Sequence, residues 1–363
     1  PAPLLPCSPE NHKEGPSLGS PSDMLGHHFL KGEEPMELYC GIDLHSNNNY
    51  VAVMNGGLDC VAGRRLGNDL GRVLDFLEPY RDDLVAVAVE STYNWYWLVD
   101  GLGEQGYDVR LVNTTKASKY DDMKYTDDKH DARWVAHLLA LGILPEGYIT
   151  PPEERGVRDL LRRRSFFVHK RTAHLLSLRT IFERSTGKRV STDDLQKWNS
   201  DTVRALIDDR FVAESIAVML PVVRVLTKQI KIVEKCVLAE GKLRKEFRLL
   251  KTVPGIGDVL ALTIMCETSD IERFATAGKY VSFCRCAKSE HTTNFKRKGS
   301  GNRKNGNKYL SWAYSEAAHH AKRYEPLAKR YYERKKSRSH PMVAKRALAA
   351  KIARGCYHVL SLI

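Results

Sequence analysis

The sequence predicts a mixed α/β sheet flanked by helices, continued by a long helical arm and a mainly α C-terminal region. Three observations carry this reading. LYCGIDL (38–44) and YVAVMN (50–55) have a β-like alternating texture around an S-N-N-N turn, as a hairpin does. LVAVAVE (84–90) is an unbroken apolar run, expected of a buried central strand. Beyond Pro151 and Pro152, apolar residues recur at helical spacing through two long stretches.

Taken in order, a third short strand is expected over 59–65 and an amphipathic helix near 69–80. The central strand 84–90 follows, then a loop and helix in STYNWYWLVDGLGEQG, a strand in YDVRLVN, and a helix opening near Asp128. Strands joined by hairpins and then β–α alternation describe a mixed sheet. Residues 1–35 are rich in Pro, Ser and Gly and lack periodicity, so they read as a disordered leader or extension, with the folded part starting at Met36.

The next region differs in texture. Glu153 and Glu154 follow the two prolines, as a helix N-terminus prefers, and helices are expected over 153–184 and 210–248 around a polar insertion near 186–201. The pair reads either as an antiparallel, coiled-coil-like assembly arm or as a helical subdomain with a solvated basic face. KTVPGIGDVLALTIMCE then brings a Pro-Gly-Ile-Gly turn resembling a helix-hairpin-helix tip, whose backbone amides can face a phosphate. Further on, Lys296, Arg297, Lys298, Arg303, Lys304 and Lys308 are interleaved with Gly and Asn. Small residues let the backbone approach a phosphate chain while the cations neutralise it, although a solvated loop has a similar composition. From residue 312 the chain returns to helix. The expected units are thus the leader (1–35), the sheet domain (36–148), the helical arm (149–250) and the C-terminal domain (251–363).

Over 363 residues, 57 Lys and Arg stand against 44 Asp and Glu, a formal charge of +13. Such an excess most often serves a polyanion such as nucleic acid, or else belongs to an ordinary basic enzyme. No apolar run approaches the ~20 residues needed to span a bilayer. The eight cysteines are scattered, and the Cys284-x-Cys286 pair has no second ligand pair, so buried thiols in a reducing cytosol fit better than zinc.

Four acids stand out against this basic background. Asp43 lies inside the first strand, and Glu90 ends the central one. Asp128 and Asp131 are three apart, so a helix places them on one face, about 5–6 Å apart at Cβ. A sheet bringing the two strand ends together could gather all four, their repulsion relieved by divalent cations of the kind that drive phosphoryl transfer. Each also has an ordinary role open to it, and either Asp127 or Asp128 is expected to cap the helix.

GIDLHSNNNYVAV, VAVESTYNWYWLVD and TDDKHDARWVAHLL resemble, in that order, the N-terminal ribonuclease-H-like (RuvC-like) domain of the DEDD-type insertion-sequence transposases. That family includes pilin-gene invertases and bridge-RNA-guided recombinases. LLKTVPGIGDVLALTIMCETSDIERF and KGSGNRKNGNKYLSWAYSEAAHHAKRY resemble its C-terminal transposase domain, so the likeness runs from residue 38 to about 360.

The resemblance implies an α/β ribonuclease-H-like fold in which Asp43, Glu90, Asp128 and Asp131 form a tetrad binding Mg²⁺, with Mn²⁺ as a substitute. It implies donor and target DNA as partners, a structured guide RNA, a dimer or tetramer, no membrane association, and a prokaryotic, cytoplasmic, nucleoid-associated setting. It further implies a serine hydroxyl in the C-terminal domain that links covalently to DNA, working with the tetrad of another subunit. The family's serine precedes Asn-Gly; here the stretch is HTTNFKRKG, so Thr293 falls at the serine and Phe295 at the glycine. A threonine hydroxyl can attack, but its β-methyl stiffens χ1 and crowds the approach. Thr293 as nucleophile, Ser289 in its place, or a copy impaired in cleavage all remain open. A metal-dependent, junction-resolvase-like nuclease using water, and a nucleic-acid-binding derivative without chemistry, are the alternatives.

Overall fold

The computed structural model describes residues 36–117, 127–242, 244–287, 291–293, 296–299 and 305–362. The leader, Ser289, Arg303 and Lys304 lie outside the described residues. The sheet region runs β1 (Leu38–Leu44), β2 (Asn48–Asn55), β3 (Cys60–Gly67), α1 (Leu70–Leu77), β4 (Leu84–Glu90), α2 (Tyr96–Glu104), β5 (Val109–Val112), the short α3 (Thr114–Ala117) and α4 (Asp128–Ala140). The strands lie in the order β3-β2-β1-β4-β5. Tight turns make β2 antiparallel to both β1 and β3, whereas the helical crossovers make β4 parallel to β1 and β5 parallel to β4. The mixed α/β ribonuclease-H-like sheet followed by helices is therefore the observed architecture.

The two sheet faces are covered differently. Cys40, Ile42, Leu44, Val87 and Val89 pack with Val73 and Leu77 of α1 and Leu98 and Leu102 of α2. Gly41, one residue out of phase, meets α4: a Cβ there would stand 2.1 Å from the Ala132 carbonyl oxygen and 2.6 Å from the Ala136 nitrogen. Only a residue without a side chain lets α4 lie this close to β1. Ala88 and Val112 pack with Val135 on the same side, so odd positions of β1 and even positions of β4 share the α4 face.

The arm comprises α5 (Pro152–Thr186), α6 (Thr192–Lys197), α7 (Ser200–Leu206), α8 (Arg210–Ala217) and α9 (Leu220–Gly241). Leu161 of α5 clusters with Val233 and Val237 of α9, while Leu178 and Phe182 cluster with Leu220 and Val223, so the two helices run antiparallel. The stretch expected as one helix over 210–248 is broken twice: α9 restarts behind Pro221, and Arg244 separates it from α10 (Lys245–Leu250). The polar insertion holds α6 and α7, capped by Ser191 and Asn199.

The C-terminal region adds α11 (Asp258–Thr268), α12 (Ala277–Phe283), a hairpin of β6 (His291–Thr293) and β7 (Lys296–Gly299), α13 (Lys308–Tyr324), α14 (Pro326–Lys336) and α15 (Pro341–Leu360). Residues 260–268 of α11 are all buried, as befits a central helix apolar on every side. In the Pro-Gly-Ile-Gly turn, Gly255 has φ +88° and sits against the α13 backbone, and Ile256 enters the core, so half of this turn serves packing. Helix α5 joins the two ends of the molecule. Arg155 donates to Asp100 Oδ2 at 2.5 Å and Arg158 to Tyr96 Oη at 2.9 Å, while one turn on Arg162 grips Glu267 of α11 at 2.7 and 2.8 Å.

Candidate metal centre

Asp43 sits at the end of β1 on the α4 face and is 2% exposed. Its partner in β2 is Tyr50, whose own partner in β3 is Arg65, so the three side chains line up across the sheet. On the other side, Ile42 pairs with Val89, which puts Glu90 beside Asp43 one step further along parallel strands. Helix α4 begins over this edge. Asp127 is its N-cap, its carboxylate accepting from His130 N at 2.7 Å. That leaves Asp128 and Asp131 in the first turn, each one turn ahead of a buried residue, Ala132 and Val135. Asp128 thus continues the stripe lying on Gly41, and Asp131 the stripe lying on Ala88 and Val112. Register and helix phase thus put the positions of all four acids on the α4 side of the sheet, at the ends of β1 and β4 and in the first turn of α4.

The closest contacts form around a residue not singled out from the sequence. His45 Nε2 lies 3.0 Å from Asp43 Oδ2 and 3.1 Å from Asp128 Oδ1. Its backbone carbonyl accepts from the side-chain amides of Asn68 and Asn94, both at 3.0 Å, which fixes the loop after β1. Arg65 Nη2 reaches Asp128 Oδ2 at 2.7 Å. Desolvation alone would raise the pKa of Asp128, but the hydrogen bond and charge of His45, with Arg65, outweigh it and hold the carboxyl below its ordinary value. His45 was legible in principle, since D-x-H at a strand end puts both side chains on one face. Arg65 was not, because its place depends on the register of two strand pairs.

The donor set fits a divalent cation. Asp43, His45 and Asp128 each present a ligand atom within 4.8 Å of the others. Asp43 Oδ2 is buried and accepts no hydrogen bond among the described residues, although His45 Nε2 lies 3.0 Å away. Paired carboxylates suit a hard cation such as Mg²⁺ or Mn²⁺, and the imidazole nitrogen favours Mn²⁺ over Mg²⁺. Glu90 and Asp131 do not belong to this three-residue group.

Two family models match the chain. One, described as a transposase of DEDD type, covers residues 40–185; the other, described as the transposase IS116/IS110/IS902 family, covers residues 247–333. Together they span more than half of the sequence. The chain belongs to the IS110-type transposases. It is therefore a DNA transposase/recombinase by family, and a divalent metal is the cofactor that both the DEDD type and the acidic cluster point to. No curated protein matches it. No helix among the described residues is long and apolar enough to cross a membrane.

The remaining predicted residues that are described lie in the β6–β7 hairpin or at the start of α13. Thr293 is exposed and pairs with Lys296 across it. Lys296 and Lys298 are exposed on β7, which also carries Arg297, and Lys308 is exposed at the start of α13. Among the described residues, the hairpin strands β6 and β7 pack chiefly on each other.

Proposed function

We propose that this transposase cleaves and rejoins DNA with a divalent cation, Mg²⁺ or Mn²⁺, held by Asp43 and Asp128 together with Glu90 and Asp131, and with Thr293 as the hydroxyl nucleophile. The observation that carries it is the convergence of Asp43, His45 and Asp128 on the face where Glu90 and Asp131 also lie. When bound, the cation supplies charge stabilisation for a phosphoryl group in transfer. The chain's residues supply the rest. Thr293 Oγ1 would form a bond to phosphorus as the phosphodiester bond to the leaving sugar oxygen breaks. The hydroxyl's proton passes to a base, and the leaving oxygen takes up a proton. Reversal with a different sugar hydroxyl rejoins the strand.

The resemblance to the DEDD-type transposases supports pairing the hydroxyl of one subunit with the acids of another, hence a dimer or tetramer. The antiparallel α5–α9 arm is a candidate for that assembly. The basic segment around Lys296, Arg297, Lys298, Arg303, Lys304 and Lys308 would contact phosphates of donor and target DNA, and a structured RNA would guide target choice, as in the RNA-guided recombinases that the sequence resembles.

In a donor–target plasmid assay, Asp43→Ala and Glu90→Ala should each abolish recombination while circular dichroism remains that of the folded protein. Full activity in both variants would end this reading. Threonine and phenylalanine at the serine and glycine positions favour one second reading, a nuclease using water. A denaturing gel decides between them, because only the hydroxyl route leaves a protein–DNA adduct, and that adduct should vanish in Thr293→Ala.

A further inference from the structure

Between the sheet region and the C-terminal helices lies a cleft of about 570 Å³. Asn113 and Lys116, from the segment after β5, border one side; Arg273, Phe283 and Asn305 border the other, with Tyr148 between them. Arg273 is the unusual member. Its guanidinium lies 4.1 Å from the Tyr148 ring centroid, 4.5 Å from Phe274 and 4.7 Å from Phe283. Its Nε donates to the Thr268 carbonyl at 3.2 Å, but among the described residues no carboxylate lies within ion-pair distance of it. Burial pulls its pKa below the ordinary arginine value, against the opposing influence of Tyr148 and Asp270, yet an arginine so placed stays charged. A half-buried cation without a neighbouring counter-charge is a natural partner for an anionic ligand. The one acid in the cleft wall, Glu146, is engaged by Arg110 at 3.3 Å.

We propose that this cleft is a binding site for one nucleotide of a single nucleic-acid strand, with Arg273 and Lys116 on its phosphate and the base against the neighbouring rings. A guanidinium fork matches a phosphate, and aromatic faces accept any base once it is unstacked, which restricts the site to unpaired strands. The position suits a strand in transit. Asn113 directly follows Val112, the register partner of Glu90, so one end of the cleft adjoins the acidic edge of the sheet. Asn305, Gly306 and Asn307 line the other end, immediately before Lys308 at the start of α13. The inference rests on the nucleic-acid function proposed above; the shared chemistry of DNA and RNA single strands is the recognised feature.

The test uses the full chain with short single-stranded DNA and RNA carrying 5-iodouracil, cross-linked by ultraviolet light and mapped by mass spectrometry. Anisotropy titrations over a range of salt concentrations are run in parallel on the wild type, Lys116→Gln, Arg273→Gln and Arg273→Lys. Cross-links on peptides containing Tyr148 or Phe283 are expected, and each neutral variant should lower the salt slope by about one. Arg273→Lys should keep the slope and lose cross-linking yield. Lys116 is exposed, so its variant reports on the cleft even if Arg273→Gln does not fold. A cross-link with only DNA or only RNA identifies the strand and supports the site. Cross-links elsewhere with an unchanged slope in Lys116→Gln overturn the cleft while leaving the transposase reading intact. Failure of the wild type to bind either strand overturns both.

Discussion

Arg65 reaches across three strands to donate to Asp128 at 2.7 Å, on the same carboxylate that His45 contacts from the other side. A guanidinium there competes for the charge that a metal ion would use. Arg65→Gln should therefore tighten Mn²⁺ binding by up to about thirtyfold, since a unit charge ~4 Å from a divalent ion is worth ~2 kcal/mol in water-like surroundings. Isothermal titration calorimetry of the two proteins reads this directly. Unchanged or weaker binding in the variant would show that Arg65 is not a competitor.

Gly41 decides how close α4 lies to the sheet. Gly41→Ala places a methyl group 2.1 Å from the Ala132 carbonyl oxygen, an overlap that only movement of the helix relieves. The expected cost is about 3 kcal/mol, read from the urea unfolding midpoint. Because Asp128 rides on the same helix, metal affinity should fall as well. A variant as stable as the parent would mean that α4 packs less tightly than described.

The Arg162–Glu267 pair makes a separate claim. Glu267 is buried, is held by Nε and Nη2 of the guanidinium, and also accepts from Asn307 Nδ2 at 2.6 Å, so it ties the arm to the N-cap of α13. Arg162→Met leaves that carboxylate poorly compensated and should cost about 3 kcal/mol. Adding Glu267→Met should recover most of the loss, because the uncompensated charge goes with it. If the double variant is less stable than Arg162→Met, charge burial is not what governs this contact.

Thiol chemistry offers a pH test. Burial pushes the Cys286 thiol up to about 11 and those of Cys266 and Cys356 to about 12, and moves Cys40 and Cys284 upward too. In native protein at about pH 8, a thiol reagent should reach Cys236 and Cys60 but spare these five until the chain unfolds. The sign of the stability effect follows from proton release. Below the ordinary thiol value of 9.0, both states keep their protons. Above it the unfolded chain releases them while the fold does not, so stability is lost as pH rises toward the folded values. The urea midpoint should accordingly drop between about pH 8 and about pH 10. Rapid native labelling of Cys284 would count against the packing described.

Much of this was readable from local patterns. The period-two alternation of 38–55 and the apolar run 84–90 specify strands because a strand's faces alternate residue by residue, and Asp127 is a cap because its short carboxylate reaches a free helix amide. Asp43, Glu90, Asp128 and Asp131 could be nominated for the same reason: each sits at the end of an element whose direction is set locally. The breaks at Pro221 and Arg244 and the helices within 186–206 were less legible, since short polar helices owe their stability to packing, α6 on α5 and α9 and α7 on α8.

By itself, then, the sequence settled the kinds of elements, the charge that points to nucleic acid, and the acids at the strand and helix ends. It could not supply His45 and Arg65 as neighbours of Asp128, nor Arg273 facing Lys116 across a cleft. Those relationships exist only once strands are registered and helices docked, because a side chain's neighbours across a sheet or between layers are set by packing rather than by position along the chain.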